Sequence, residues 1–370
     1  MTTSPKKRIG IDVSGMTLSK HVTGIERVLI EINQGLTSLV DSNEFEIYPF
    51  VTLPEFKKPE PTPDFLTKDP IFSKPLQPIG SFDILFFGGI NINLPMPELR
   101  RLKRDQNQKV VTLVHDILPI THPEWFVTPK FANGRETALT SRGFFQIYLQ
   151  STFSLSDHLI LTSQHVENEI ASYKWNHLPE TSVLHLGAFE VPPTVTKIPH
   201  SGIKTLYVST VTIRKGHAEL LSAFDLLWGQ GLDISLTIVG NRGWLIDDFI
   251  ERMRTHAEFG ARLFWRERLS DLEIYELYQQ SDISFIASED EGFGLVLEEG
   301  IANGVKVIAR DIPVFRERSY PNLYFFSGGP KELSEKILEV APIPVEPLPE
   351  GSIRTLKDFV NDLVQIFKMI

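Results

Sequence analysis

The sequence predicts an α/β protein built from two Rossmann-like, doubly wound domains. Short apolar runs alternate with longer amphipathic ones along the chain, the pattern of parallel strands covered by helices. The alternation breaks at Glu190–Gly202 (EVPPTVTKIPHSG), where Pro, Thr and Gly replace periodic apolar spacing, and then restarts. The length of 370 residues also suits about two domains of ~100–200 residues, each able to bury its own core.

The elements follow in order. In the first series Arg8–Val13 (RIGIDV) reads as a buried strand and Gly24–Leu39 as a helix, with Glu46–Leu53 as a second strand. Asp83–Gly88 (DILFFG) and Val110–Val114 (VVTLV) are further apolar strands. A helix over Phe144–Ser154, a strand at His158–Thr162, a helix over Gln164–Tyr173 and a strand at Ser182–Leu186 complete the set. The second series opens with a strand at Lys204–Ser209, a helix over His217–Gln230 and a strand at Asp233–Val239. Helix Leu245–Phe259, strand Ala261–Trp265, helix Asp271–Ser281 and strand Asp282–Ala287 come next, then helix Leu295–Asn303 and strand Lys306–Ala309. Helices over Lys331–Val340 and Ile353–Met369 end it. The expected division is 1–190, 191–352 and a last helix, 353–370, crossing back to the first domain. Pro54–Pro78 is too long for a simple βα turn; it reads as a lid or acceptor loop, or equally as a solvated insertion.

Composition narrows the function. The chain has 42% apolar and 23% charged residues, as an ordinary soluble protein does, and a net charge of −10. Neither half is basic, which argues against nucleic-acid binding. The absence of cysteine excludes disulfides, thiolate nucleophiles, Cys-based zinc sites and iron–sulfur clusters. No apolar run approaches the ~20 residues of a membrane span, and Met1–Lys7 has no apolar core behind its lysines. A cytoplasmic protein is expected. G-x-G-x-x-G, G-x-x-x-x-G-K-[ST] and zinc-type histidine spacings are all missing from the sequence.

The most informative segment is Ser288–Gly304, SEDEGFGLVLEEGIANG. It starts where an apolar strand ends and runs into a helix, where open α/β sheets bind ligands. Gly292 and Gly294 permit close backbone approach. Glu291 on the loop and Glu299 one turn into the helix are carboxylates able to flank a ligand and accept from vicinal hydroxyls.

EGFGLVLEEGIANG resembles the E-x7-E segment of the retaining GT-B glycosyltransferases of family GT4, whose usual run is EGFGLPVLEAMACG. Glu291 matches the first acid and Glu299 the second, while Gly292, Phe293, Gly294 and Leu295 match the loop between them. Val296 stands in place of the family proline, and Gly300 and Asn303 replace usual small residues. The resemblance implies Glu291 beside the donor sugar hydroxyls, Glu299 on the nucleotide ribose and loop amides near the sugar and diphosphate.

The similarity extends over nearly the whole chain. Arg8–Val28 resembles the family opening, in which Gly24 matches a glycine whose amide approaches the donor phosphate. Val114–Pro119 (VHDILP) resembles the HD-x-x-P segment, which implies His115 near the reacting sugar. Tyr207–Gly216 (YVSTVTIRKG) resembles the phosphate loop, with Arg214 and Lys215 as the cations for the diphosphate. Ser209 replaces a family glycine, and Thr210 stands where one variant has arginine, so Arg214 must supply the second charge. Val239–Trp244 (VGNRGW) and Phe264–Arg266 resemble segments bordering the nucleotide. Arg100, Arg101, Lys103 and Arg104 form a basic cluster, either a solvated helix face or a contact for anionic lipid head groups.

The resemblance thus implies two domains facing across a cleft and retaining, metal-independent transfer of a hexose from a nucleotide diphosphate sugar, with mannose and GDP-mannose favoured by the Arg–Lys phosphate loop. The acceptor is expected to be a glycan or lipid-linked sugar in cell-surface polysaccharide synthesis. No cofactor beyond the donor is expected, and the oligomeric state is open. The rival expectations are a GT-B-fold epimerase or phosphorylase, or a catalytically silent sugar-nucleotide-binding subunit; retention of both acids, the basic pair and the histidine argues against the last.

Overall fold

The computed structural model describes residues 6–18, 24–39, 45–52, 70–91, 94–127, 140–191 and 200–370. Most of the Pro54–Pro78 loop and the centre of the Glu190–Gly202 boundary lie outside them. The chain forms two compact units, one of Met1–Ile120, Arg142–Leu186 and Thr355–Ile370, the other of Thr121–Ser141 and Gly187–Arg354.

The first unit is built on a parallel six-stranded sheet. Its strands are β1 (Lys7–Asp12), β2 (Phe45–Phe50), β3 (Ile84–Phe87), β4 (Lys109–Val114), β5 (His158–Leu161) and β6 (Glu180–Val183), in the order β2-β1-β3-β4-β5-β6. Ile9 lies opposite both Ile47 and Ile84, which fixes the register at the centre. All four residues of β3 and of β5 are buried, as strands covered on both faces must be. The edge strand β6 is only half-buried and pairs through ETSV, two residues before the apolar stretch that the sequence suggests. Helix Gly24–Leu39 packs against helix Leu356–Met369, and Phe367 meets Phe86 edge-on at 5.7 Å. The last helix starts at Leu356 because Thr355 caps it: the Asp358 carboxylate accepts from Thr355 N at 2.8 Å, and the Thr355 side chain accepts from Asp358 N. Helix Met96–Gln106 carries the basic cluster on the helix face that its sequence suggests; it buries only Leu99 and Leu102, too narrow a stripe to mark its bounds in the sequence.

The second unit carries β7 (Ile203–Val208), β8 (Ile234–Val239), β9 (Leu263–Arg266), β10 (Ile283–Ile286), β11 (Lys306–Arg310) and β12 (Leu323–Phe326), in the order β12-β11-β10-β7-β8-β9, all parallel. The chain winds outward from β7 to β9, then returns to β10 on the other side of β7. Its switch point therefore lies between β7 and β10, the position at which such sheets bind ligands. Helix Asp247–Arg254 is shorter than the expected Leu245–Phe259 at both ends: Leu245 has a left-handed backbone (φ 58°) that delays its start, and it stops at the C-cap Thr255. The short helix Pro313–Arg316 and strand β12 are additional elements. A division at residue 190 also misses Thr121–Ser141, which groups with the second unit: Trp244 Nε1 donates to Trp125 O at 2.6 Å, and the Trp125 ring stacks on His122 at 3.9 Å. No helix among the described residues is long and apolar enough to cross a membrane.

Lys306 illustrates how the second core tolerates a charge. It is 4% exposed, and its Nζ donates to Val340 O at 3.0 Å, Ala341 O at 2.7 Å and Ile343 O at 2.8 Å. All three ammonium donors are used, and the charge sits at the C-terminal, negative end of helix Pro330–Val340. Lys306→Met should lower the unfolding free energy by about 1.5–3 kcal/mol, because it removes hydrogen bonds to a charged group and strands buried carbonyls. A urea midpoint equal to that of the parent protein would show that the carbonyls are satisfied some other way.

Candidate active site

Two loops meet at the carboxyl ends of β7 and β10. Ser209–Gly216 follows β7, and Ala287–Gly294 follows β10 and leads into helix Leu295–Ala302. Glu289 N donates to Arg214 O at 2.9 Å, and Tyr207 OH donates to Lys215 O at 2.6 Å. Burial pushes the Tyr207 phenol up to about 12, so it stays a neutral donor. The approach is closest at Gly216, which has φ 68° and whose Cβ, if it had one, would lie 2.3 Å from Ala287 O. Only glycine fits there.

This seam brings three charges together. Arg214 Nη1 lies 3.1 Å from Glu291 Oε2 and donates to Asp290 O at 3.0 Å, while Lys215 Nζ pairs with Glu291 Oε1. All three side chains are less than one-fifth exposed. Burial alone would raise the Glu291 carboxyl; Arg214 and Lys215 together outweigh it and hold the group down at about 2. Asp290 turns the loop by accepting Glu291 N on Oδ1 at 2.8 Å. The cluster is a carboxylate with two cations, carrying one net positive charge.

The loop then enters the helix without a side-chain cap, through Gly294 at φ 89°. Gly292 and Phe293 are buried, whereas Gly294 and Leu295 are half-buried. Glu299, one turn on, is buried and accepts from Tyr278 OH at 3.3 Å. An anion arriving here meets two partly desolvated cations and the positive end of a helix; a polyol meets two carboxylates.

Arg214, Lys215, Glu291, Gly292, Phe293, Gly294, Leu295 and Glu299 are therefore assembled in the second unit. Gly24 and His115 belong to the first. Gly24 is the exposed first residue of its helix, and residues 19–23 of the preceding loop lie outside the described residues. His115 follows β4 and places Nε2 2.8 Å from Gly88 O. A carbonyl only accepts, so Nε2 carries the proton. Burial lowers the pKa of the ring, which leaves a neutral imidazole with Nδ1 as an acceptor.

Residue patterns alone did not reveal the supporting groups. Asp290 falls in SEDE, which in sequence is only superficially like a metal-binding acidic triplet, and Tyr207 reads as an ordinary strand residue. His217 is 2% exposed, 3.1 Å from Ser209 Oγ through Nε2 and stacked on Tyr207 at 4.7 Å; Arg318 sits below the loop with Glu298. A strand-end tyrosine followed by RKGH was the available signal for the first of these contacts; Arg318 had none.

Residues 192–343 match the family Glycosyl transferases group 1. The match covers most of the second unit. The serotype-specific mannosyltransferase WbdA of Escherichia coli is 34% identical over 247 residues, which is 61% of this chain and 29% of WbdA. The chain thus spans less than a third of that relative's length. A glycogen synthase of Mycobacterium tuberculosis is 29% identical over 162 residues, 42% of this chain and 38% of the synthase. Among solved structures, HepE of Anabaena in complex with UDP and glucose aligns over 99% of this chain and 100% of its own, with a TM-score of 0.66 at 15% identity. A sucrose-phosphate synthase from Thermosynechococcus elongatus aligns over 98% and 99%, with a TM-score of 0.69 at 14% identity. These likenesses show the fold: two Rossmann-like domains of the GT-B type.

The buried histidine beside the cluster gives a stability test. Burial, with the Lys215 charge second, pulls the His217 pKa down to about 3 from 6.5. Its neutral form is favoured by folding, so the unfolded chain binds the extra proton and stability falls as pH drops through 6.5 towards 3. Glu291 contributes in the same direction only below its ordinary 4.5. Between pH 6.5 and 4.5 the loss therefore comes from histidines, His115 and His158 sharing the same direction. His217→Gln should flatten the pH dependence of urea unfolding in that window by up to ~1.4 kcal/mol per pH unit. An unaltered slope would mean that His217 does not titrate on unfolding.

Proposed function

We propose that the protein transfers a hexose, with mannose favoured, from a nucleotide diphosphate sugar to an acceptor hydroxyl, with retention of configuration. The observation that carries this reading is the cluster at the β7/β10 switch point, where Arg214 and Lys215 meet Glu291 beside an uncapped helix N-terminus. The two cations suit a departing diphosphate, and Glu291 and Glu299 suit sugar and ribose hydroxyls. In this reading His115 and Glu291 act at the sugar, and Gly24 approaches the donor phosphate. Catalysis is then positioning plus stabilisation of the leaving diphosphate, with protein cations taking the part of a metal.

The likeness to WbdA, a mannosyltransferase, and the Arg–Lys phosphate loop support GDP-mannose as donor. The proposed acceptor is a glycan or lipid-linked sugar in cell-surface polysaccharide synthesis. A lipid-linked acceptor would bring the protein to the cytoplasmic face of a membrane. Of the basic cluster, Lys103 is engaged by Asp157, Arg104 by Asp105 and Arg100 by Ser154 Oγ at 3.4 Å; the exposed Arg101 and Arg100 are the members that would meet anionic head groups.

Thermal unfolding with GDP, UDP, ADP and their sugars tests the donor, since a ligand of the native state raises apparent stability. GDP-mannose should give the largest shift, and Glu299→Ala should weaken binding of the free nucleotide. Stabilisation by UDP compounds alone would overturn the base assignment; no shift with any of them would overturn the reading. Turnover should survive EDTA and fall ~10²–10³-fold in Lys215→Ala, the usual effect of losing one preorganised donor. Strict Mg²⁺ or Mn²⁺ dependence with a tolerant Lys215 would place the diphosphate elsewhere.

A further inference from the structure

The loop between Glu291 and Glu299 rests on a buried polar network. Arg318 and Glu298 have side chains only 3% exposed and pair at 3.1 Å, Nε to Oε1. Arg318 Nη2 donates to Phe293 O at 2.6 Å, its Nη1 donates to Val314 O, and the guanidinium lies 4.0 Å from the Phe293 ring centroid. Tyr320 OH donates to Glu298 Oε2 at 2.8 Å. One side chain thus joins the Gly292–Leu295 loop, helix Leu295–Ala302 and helix Pro313–Arg316.

A buried ion pair is a poor device for stability alone, since apolar residues of similar volume generally serve as well or better. The usual run EGFGLPVLEAMACG has leucine where this chain has Glu298. What an apolar pair cannot do is hold a carbonyl. With Phe293 O bound to Arg318, the planar trans peptide turns Gly294 N–H to the opposite side of the chain. The wall on the other flank is rigid too, because a Cβ on Gly294 would lie 2.5 Å from the Phe315 ring. Gripping Glu298 also sets the rotation of the helix, and with it the direction of the neighbouring Glu299.

We propose that Arg318, through Glu298 and the Phe293 carbonyl, is a positioning residue that fixes the donor-binding loop and the helix bearing Glu299. This rests on the donor-site reading given above. The guanidinium reaches three acceptors from three nitrogens in one plane, a geometry that lysine does not reproduce.

The test compares the parent protein with Arg318→Lys and with the double variant Arg318→Met/Glu298→Leu, which replaces the ion pair by apolar side chains. The double variant should stay folded, with a melting temperature lowered by no more than about 10 °C because two buried carbonyls lose their donor, yet lose ~10-fold or more in kcat/KM for the donor, with the acceptor KM unchanged. In Arg318→Lys the amides of residues 292–295 should exchange hydrogen faster while those of the sheet do not. Parent-like donor kcat/KM in the double variant would overturn the proposal. So would donor and acceptor constants that change only in step with a lost folded fraction. If the double variant does not fold, Arg318→Lys decides: unchanged loop exchange with unchanged donor KM rejects the positioning role. A parent protein that neither binds nor turns over a nucleotide sugar rejects the donor site instead, and the exchange comparison still reports whether Arg318 holds the loop.

Discussion

The second domain is organised around one electrostatic requirement: Glu291 is buried, and Arg214 and Lys215 together outweigh that burial and keep its carboxylate ionised. Those cations cannot come from its own loop. They come from the loop after β7, more than seventy positions away in the chain, so the strands that deliver them must be neighbours. The order β12-β11-β10-β7-β8-β9 meets that demand, because the outward winding from β7 and the return at β10 leave the two strands side by side. The register follows: Ile283 and Ser284 pair with Thr205 and Leu206, so both strands end at the same level and their loops emerge together. Gly216 is the local consequence, since any side chain there would drive Ala287 out of the seam.

Around the cluster, neutral groups keep the charge count fixed. Tyr207 lends a hydroxyl whose pKa burial raises, and His217 lends an imidazole whose pKa burial lowers, so neither adds a charge near neutral pH. The same economy holds in the first domain at His115, a ring fixed in one tautomer by Gly88 O. Groups that would be ambiguous in solution are each driven towards a single protonation state by their surroundings, and the one net positive charge of the cluster is a property of the fold.

What could be read from the sequence followed burial. β3, β5 and β10 are buried throughout and appear as mainly apolar runs, ILFF, HLIL and ISFI, visible without any partner strand. β6 sits at an edge, pairs through polar residues and was expected two residues late; helix Met96–Gln106 hides its two buried leucines among charges. The site divided in the same way. Arg214, Lys215 and Glu291 lie on loops that follow strands, and Glu299 in the helix after one of them, contexts that a linear pattern captures. Asp290 and Arg318 work by contacts that the pattern does not contain: Arg318 is 25 positions from Phe293 and looks in sequence like one more charge in RERSY. The grouping of His122 and Trp125 with the second unit was equally invisible, since it depends on a hydrogen bond from Trp244.

The cluster also bears on how a nucleotide sugar would enter under the proposed function. Lys215 and Arg214 are not idle while they wait, because Glu291 occupies both. A diphosphate that takes the cations leaves Glu291 with less compensation, and burial then pushes its carboxyl back towards the protonated form. A sugar attached to that diphosphate offers hydroxyl donors to the carboxylate it displaces, so the two halves of the donor repair each other's disturbance. A nucleotide diphosphate without its sugar fills the cationic side and leaves the anionic side unmet. On this argument a preference for the intact donor over its nucleotide would follow from an ion cluster that must be satisfied as a whole, with the closely packed seam at Gly216 holding the two loops that carry its three members.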